Sequence, residues 1–403
     1  MAVPPPIPLT PRKPVPTNNL ATGSLVLGIF GFCVPIVGLA GIVCGHLGLS
    51  QIGKARGAVD GKGLAIAGLI CGYLATLMWI GFGVIFALGV KEGQAAEKRA
   101  GEPYDLGIVA VPAFSNLPEF EELEPGGVRV AQVDLPGTTV PGSGMSLRIY
   151  LPAGDKAPQP RSLPCVLVAP AGTNLLSGAS LGSLAEETYD DETLPYAEAG
   201  MVAVLYSIDG ENPEEAGEDD EAATQEMKTA YLAFEAAGAG TVNGRNALEF
   251  VLARLPMVDP QRIYSAGHSS AATLSLLLAE HDPRIQGCIA YAPAVDIKEH
   301  FSELLAAQDV GSVLPGFRYF VKRSSPLTHT SRLTVPVFLF FADDDEMIQA
   351  DGYRPFIAKL RETNREVTLR TVPEGGHYQS MIDEGIPAGI EWIQKRAARL
   401  PSP

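Results

Sequence analysis

The chain has 403 residues, too many for one ordinary domain, and 46% of them are hydrophobic, a high share for a protein lying wholly in water. Its net charge of −16 is uneven: residues 1–100 hold 8 Lys and Arg against 3 Asp and Glu, leaving 22 basic against 43 acidic residues beyond them. A body that acidic repels phosphate backbones, which argues against nucleic acid as a partner, while the basic front suits anionic lipid headgroups.

Residues 1–21 are dense in proline and read as a disordered, extended tail. Two stretches without a charged residue follow within 22–90, Ser24–Leu49 and Gly63–Val90. Each meets the ~20 residues that a helix needs to cross ~30 Å of hydrocarbon. The short polar QIGKARGAVDGK joins them, so the pair reads as a two-helix transmembrane hairpin rather than two helices of a soluble core. A cleaved signal peptide fits worse, because the first stretch is long, lacks a small-residue cleavage site and is followed by the second. Two crossings put both chain ends on one side. Arg12, Lys13, Lys91, Lys98 and Arg99 flank that side against Lys54, Arg56 and Lys62 in the loop, so the charge count leaves the orientation open. Gly41 and Gly45, and Gly68 and Gly72, have the four-residue spacing that lets helix backbones approach closely in lipid. His46, near the end of the first stretch, reads as facing headgroups.

This front, with SLVLGIFGF, GLAGIVCGHLGLSQI and GKGLAIAGLICGYL, resembles the DUF4190 family over about residues 22–85. The family is a small two-helix membrane domain of bacterial proteins. The resemblance implies an anchor in a bacterial cell membrane, with the lipid bilayer as partner and no chemistry of its own.

Residues 91–126 read as a charged linker. From 127 to 400 the pattern alternates strand and helix. GVRVAQVDL and MSLRIYLP read as paired edge strands, followed by the apolar runs CVLVAP, MVAVLYS, RIYSAGH, CIAYAP, VPVFLFFA and VTLRTVP, with helical patterns such as NALEFVLARL between them. Short buried strands alternating with helices imply an α/β fold, a mostly parallel sheet with helices on both faces. The five cysteines form no framework: Cys33, Cys44 and Cys71 lie in the apolar front, Cys165 and Cys288 in strand-like runs where a buried thiol is the usual reading.

Between the strand RIYSAGH and the helix ATLSLLLAE, small residues flank Ser269 on both sides. A sharp strand-to-helix turn that exposes a nucleophile needs such residues, since bulk two positions away collides with neighbouring elements. The motif here is G-x-S-x-A, one methyl group away from G-x-S-x-G. The competing reading of Ser269 is a plain helix cap. The partners weigh on the choice, because in this layout an acid and then a histidine follow the serine on loops after later strands. Of six histidines only His377, in EGGHYQSMI, lies beyond the acidic loop DDDEMI; His281, His300 and His329 precede it and read as packing or surface residues. Asp343, Asp344 and Asp345 compete for the acid, and Asp296, after CIAYAP, is a rival.

DDDEMI resembles the G-x-x-D-x-x-V loop of α/β-hydrolases when Ala342 stands for the glycine, which places the acid at Asp345 and the apolar anchor at Ile348. Residues 128–398 as a whole resemble the α/β-hydrolase superfamily, and VDPQRIYSAGHSSAATLSLLLAEHDPRIQGCIAYAP is most similar to prolyl-oligopeptidase-like and dienelactone-hydrolase-like catalytic domains. The resemblance implies a serine hydrolase in which Ser269 attacks an ester or amide carbonyl, His377 moves the proton and Asp345 orients the imidazole. An oxyanion site requires two backbone N–H groups, one from Ser270 and the other from Gly172 or Thr173, where Ala171 and Gly172 stand for a family His-Gly pair. No metal or organic cofactor is needed. Prolyl oligopeptidases proper carry a β-propeller ahead of this domain, where here the membrane hairpin and linker stand, so a small carboxylic ester is favoured over a peptide. Two alternatives remain: an inactive hydrolase fold used for binding, and a chain whose function centres on the membrane hairpin. The acidic run 210–227 reads as a solvated loop that could disfavour anionic substrates, and 297–325 as a lid or as ordinary sheet-covering helices.

Overall fold

The computed structural model describes residues 15–125, 127–137, 139, 144–154, 158–186, 190–211 and 220–398. Most of the proline-rich tail expected over 1–21, and residues 212–219 of the acidic run, lie outside the described residues. The chain divides into two compact units, Met1–Ala96 and Glu97–Pro403.

The first unit holds three helices, α1 (Asn19–Phe30), α2 (Pro35–Lys54) and α3 (Lys62–Ala100). The expected single helix over Ser24–Leu49 is therefore two. Pro35 sets the break: Val34 before it is extended (φ −135°, ψ 113°), as a residue preceding proline prefers, and Pro35 opens α2 where its missing N–H costs nothing. At 1.5 Å per residue the 12 residues of α1 span about 18 Å, short of a bilayer core. The helices long and apolar enough to cross, by length and composition, are α2 and α3. Backbones touch where the glycines sit. A Cβ on Gly41 would lie 2.6 Å from the nitrogen of Gly28, and one on Gly68 2.3 Å from Ser24 Oγ. Ser24 Oγ donates to the Gly41 carbonyl at 2.8 Å. His46 Nε2 and the Tyr73 hydroxyl share a hydrogen bond of 3.0 Å. The Asn18 N–H donates to the Asp60 carbonyl at 2.9 Å, which ties the start of α1 to the turn between α2 and α3. With α1 doubling back on α2, the start of the described chain lies beside the turn between α2 and α3.

The second unit is built on one nine-stranded sheet in the order β1-β2-β3-β5-β4-β6-β7-β8-β9. The strands are β1 (Glu121–Glu122), β2 (Arg129–Pro136), β3 (Gly144–Leu151), β4 (Leu163–Val168), β5 (Val202–Tyr206), β6 (Val258–His268), β7 (Gly287–Tyr291), β8 (Val337–Ala342) and β9 (Val367–Val372). β1, β2 and β3 pair antiparallel, β3 pairs antiparallel with β5, and every pairing from β5 to β9 is parallel. The central strands are buried on both faces, which is why they read as unbroken apolar runs. On β4, Cys165 and Leu167 enter one core and Val166 and Val168 the other, the two-residue alternation of a pleated strand. The first core packs α5 (Asp220–Ala236), α6 (Thr241–Arg254), α7 (Ser270–His281) and the helix Ala350–Thr363. The second packs α4 (Asp190–Glu198) and the helix Ile386–Ala397. Cys165 and Cys288 are free, buried thiols.

One expectation needs correction. The stretch 91–126 is not a plain linker: α3 runs on to Ala100, and the segment beyond is strapped to α6, with Arg245 donating to the carbonyls of Leu106 (3.0 Å) and Val109 (2.9 Å) and Arg254 to Phe114 (2.9 Å) and Ser115 (3.0 Å). Those carbonyls have no strand partner, and the two guanidinium groups supply it. Within 297–325 the chain forms four short helices, the last of which, Phe317–Arg323, buries Phe317 and Phe320 against Tyr231 and Phe234 of α5. The last of these helices is packed on α5, whereas Ser302–Ala306 and Val310–Val313 bury no residue.

Candidate active site

Four loops converge at the carboxyl ends of the parallel strands, where doubly wound sheets bind ligands: those after β4, β6, β8 and β9. Ser269 sits between β6 and α7 with φ +55° and ψ −119°, a conformation a serine adopts only when its surroundings enforce it. A Cβ at Gly267 would lie 2.6 Å from the backbone carbon and oxygen of Ala271 and 2.8 Å from its side chain. The turn thus demands glycine at 267, against the buried Ala271. The Ser269 side chain makes no capping hydrogen bond to α7. It is not a conventional helix cap.

Asp345 follows β8 and His377 follows β9. His377 Nδ1 lies 2.7 Å from Asp345 Oδ2, and the Asp345 side chain is fully buried. The other carboxylate oxygen accepts from the backbone N–H groups of Met347 (2.8 Å) and Ile348 (2.9 Å). Burial alone pushes this carboxyl up. The His377 hydrogen bond and the two amides outweigh it and hold the group below the usual carboxylate range. An ionised acceptor facing Nδ1 fixes the proton there and leaves Nε2 as the basic nitrogen. His377 Nε2 is buried and has no hydrogen-bond partner among the described residues.

The neighbouring carboxylates do other things. Asp343 and Asp344 are exposed. Asp344 accepts from the N–H groups of Gly375 (3.0 Å) and Gly376 (2.8 Å), so it tethers the loop that carries His377. Asp296 caps the helix Ile297–His300, accepting from Lys298 and Glu299. His281 Nδ1 donates to the Leu277 carbonyl at 2.7 Å, and burial pulls this imidazole down to about 4. His329 packs edge-on against His281, and His300 against Phe301.

The expected oxyanion donors are partly engaged. Gly172 has φ +78°, and the Thr173 N–H donates to Ser270 Oγ at 3.0 Å. The Thr173 amide is therefore occupied by a side chain, and Ser270 does more than lend its own backbone N–H: its hydroxyl ties the β4 loop to the start of α7. The partner lies 97 residues away, so local sequence carries no trace of the contact. Sequence reasoning also passed over His268, whose Nε2 lies 2.8 Å from the His377 carbonyl, and Tyr378, whose hydroxyl donates to Asp191. Of the acidic run, Glu211 accepts from Ser180 Oγ at 2.6 Å. Beside Asp345, a cleft of about 470 Å³ opens between Val295, Glu299, Met347, Ile348 and Tyr353.

Residues 20–82 match the family described as a domain of unknown function, DUF4190, and residues 244–397, which carry Ser269, Asp345 and His377, match the prolyl oligopeptidase family. The chain thus carries a match to the DUF4190 model ahead of a match to the prolyl oligopeptidase model. Among solved structures it is similar to an acetyl xylan esterase from Paenibacillus sp. R4, with 17% identity over 76% of this chain and 93% of the esterase and a TM-score of 0.50. It also resembles a puromycin-hydrolyzing peptidase of Mycobacterium tuberculosis, with 17% identity over 66% of this chain and a TM-score of 0.49; only 39% of that peptidase's length is spanned. No curated protein matches the sequence. The esterase likeness shows the α/β-hydrolase fold, and the family match supports a serine hydrolase.

Proposed function

We propose that this protein is a membrane-anchored serine hydrolase that cleaves small carboxylic esters through Ser269, His377 and Asp345. The observation that carries the reading is the His377 imidazole, tied through Nδ1 to a buried carboxylate at 2.7 Å while Nε2 has no partner among the described residues; His268, the residue before the strained Ser269, touches the same loop, and the Ser269 side chain does not cap α7. In this reading Ser269 Oγ attacks the carbonyl carbon and its proton passes to His377 Nε2. The N–H groups of Ser270 and Gly172 face the oxyanion, Thr173 being occupied by Ser270 Oγ. The intermediate collapses as the leaving alcohol takes the proton back from His377. Water then repeats the sequence on the acyl-enzyme and releases the acid. The substrate proposed is an ester, as in the acetyl xylan esterase whose fold this chain shares. Helices α2 and α3 form the anchor, with the lipid bilayer as partner, and no metal or cofactor enters the reaction.

A fluorophosphonate probe tests it. The wild-type protein is expected to be labelled and to hydrolyse p-nitrophenyl acetate, and Ser269→Ala to lose the label together with about 10⁶ of kcat. An unlabelled wild-type protein refutes the enzyme reading, and faster cleavage of peptide p-nitroanilides than of esters refutes the substrate class.

A further inference from the structure

Three consecutive carboxylates open α4, and each meets a different element around the site. Asp190 takes Arg148 (3.3 Å) and the Tyr150 hydroxyl of β3, and Asp191 accepts from the Tyr378 hydroxyl. Glu192 lies 3.7 Å from His268 Nδ1, an ion-pair distance rather than a hydrogen bond, and that nitrogen has no hydrogen-bond partner among the described residues. Both members of this last pair are more than nine-tenths buried. The other nitrogen of His268 faces the His377 carbonyl at 2.8 Å, and since a carbonyl only accepts, Nε2 carries a hydrogen and donates it. The two imidazoles pack with centroids 4.6 Å apart at 46°, and His268 also meets the Tyr378 ring at 5.7 Å.

A residue that merely fills space between a strand and a loop has no need of two polar groups withdrawn from water, since burying them without good partners is costly. Here the buried pair is aimed at the main chain of the one loop whose position sets the base. That loop enters through Gly375 at φ +117° and Gly376 at φ +62°, with Asp344 holding their amides. His268, by contrast, ends β6 in the middle of the sheet, one residue before Ser269.

We infer that His268, backed by Glu192, is a positioning residue: its Nε2–H fixes the main chain of His377 relative to Ser269, so one rigid strand end carries the nucleophile and sets the base. The inference rests on the Ser269–His377–Asp345 reading. Misplacing a reacting group by about 1 Å can cost on the order of 10²-fold in rate, which sets the effect to look for.

The test uses the full-length chain in detergent with p-nitrophenyl acetate, comparing Ser269→Ala, His268→Leu, His268→Gln and Glu192→Gln. His268→Leu is expected to lower kcat by about 10²-fold with KM changed less than about threefold, and to slow fluorophosphonate labelling of Ser269 in step. His268→Gln, whose amide reaches the same carbonyl, is expected to regain most of kcat, and Glu192→Gln to lower kcat by a smaller factor. Wild-type kcat in His268→Leu, a rise in KM at constant kcat, or a folded His268→Gln as slow as the leucine variant overturns the inference. If the leucine variant does not fold, His268→Asn, whose amide falls short of the carbonyl, replaces it, and equal kcat for Asn and Gln overturns the inference. Activity surviving in Ser269→Ala instead overturns the catalytic reading beneath it.

Discussion

Replacing Asp345 by asparagine separates orientation of the base from every other property of the site. In the wild-type protein one carboxylate oxygen accepts from Met347 and Ile348, and the other accepts the Nδ1 proton of His377 at 2.7 Å. Asparagine keeps an acceptor for the two amides but turns an NH₂ toward Nδ1. A donor facing that nitrogen favours the tautomer with the proton on Nε2, where the imidazole cannot take the serine proton. In a serine triad this change costs about 10⁴ in kcat, or about 5 kcal/mol of barrier. The fold loses one charge-assisted hydrogen bond, about 1.5–3 kcal/mol, which in a domain of this size lowers Tm by roughly 4–10 °C and leaves the chain folded at 25 °C. Esterase kinetics and thermal unfolding on Asp345→Asn, Asp343→Asn, Asp344→Asn and Asp296→Asn decide the matter. Asp343→Asn and Asp296→Asn are expected to keep most activity, and Asp344→Asn to lose about tenfold as the Gly375–Gly376 tether weakens. More than a tenth of wild-type kcat in Asp345→Asn, or silence in Asp296→Asn, refutes the reasoning.

Gly267→Ala puts a methyl group 2.6 Å from the backbone of Ala271, so an overpacking cost of about 1–3 kcal/mol is expected as a lowered denaturant midpoint, with esterase activity falling as the turn shifts. Its midpoint matching wild type would mean that the turn is roomier than described. His281 is held down to about 4 by burial, below its unfolded value near 6.5; stability from its neutral form is present above pH 6.5 and lost as pH falls toward 4. The difference in urea stability between wild type and His281→Asn should therefore shrink by on the order of 3 kcal/mol across that window, and a constant difference refutes the assignment. Full-length protein is expected to pellet with membranes and resist carbonate extraction, whereas a chain beginning at Glu102 stays in the supernatant; recovery of the full-length chain in the soluble fraction refutes the anchor.

The features legible in the sequence are those written in local patterns. Apolar runs such as CVLVAP and VFLFFA can form strands buried on both faces, and Gly267 announces the tight turn because no side chain fits there. The order of Ser269, Asp345 and His377 along the chain narrows the partners, since each follows a separate strand. What stays illegible depends on contacts across the sequence. Asp191 meets Tyr378 across 187 residues and Ser270 meets Thr173 across 97, and a run such as DDE looks like any solvated helix start until its partners are in place. The break at Pro35 is hidden for another reason: a proline in an apolar stretch is compatible with a kinked helix as well as with two helices.

The bond from the Asn18 N–H to the Asp60 carbonyl has a consequence for sidedness. It places Asn18 level with the Arg56–Gly57 turn, while the 39 residues of α3 lead about 58 Å away from both. In a bilayer crossed by α3, a cysteine introduced at Gly57 and one introduced near the amino end of α1 would react with an impermeant maleimide from the same face of a sealed vesicle. A cysteine placed at Gly93 would react only from the other. In such a bilayer the labelling pattern would report that the hydrogen bond from Asn18 to Asp60 holds the start of α1 beside the turn between α2 and α3.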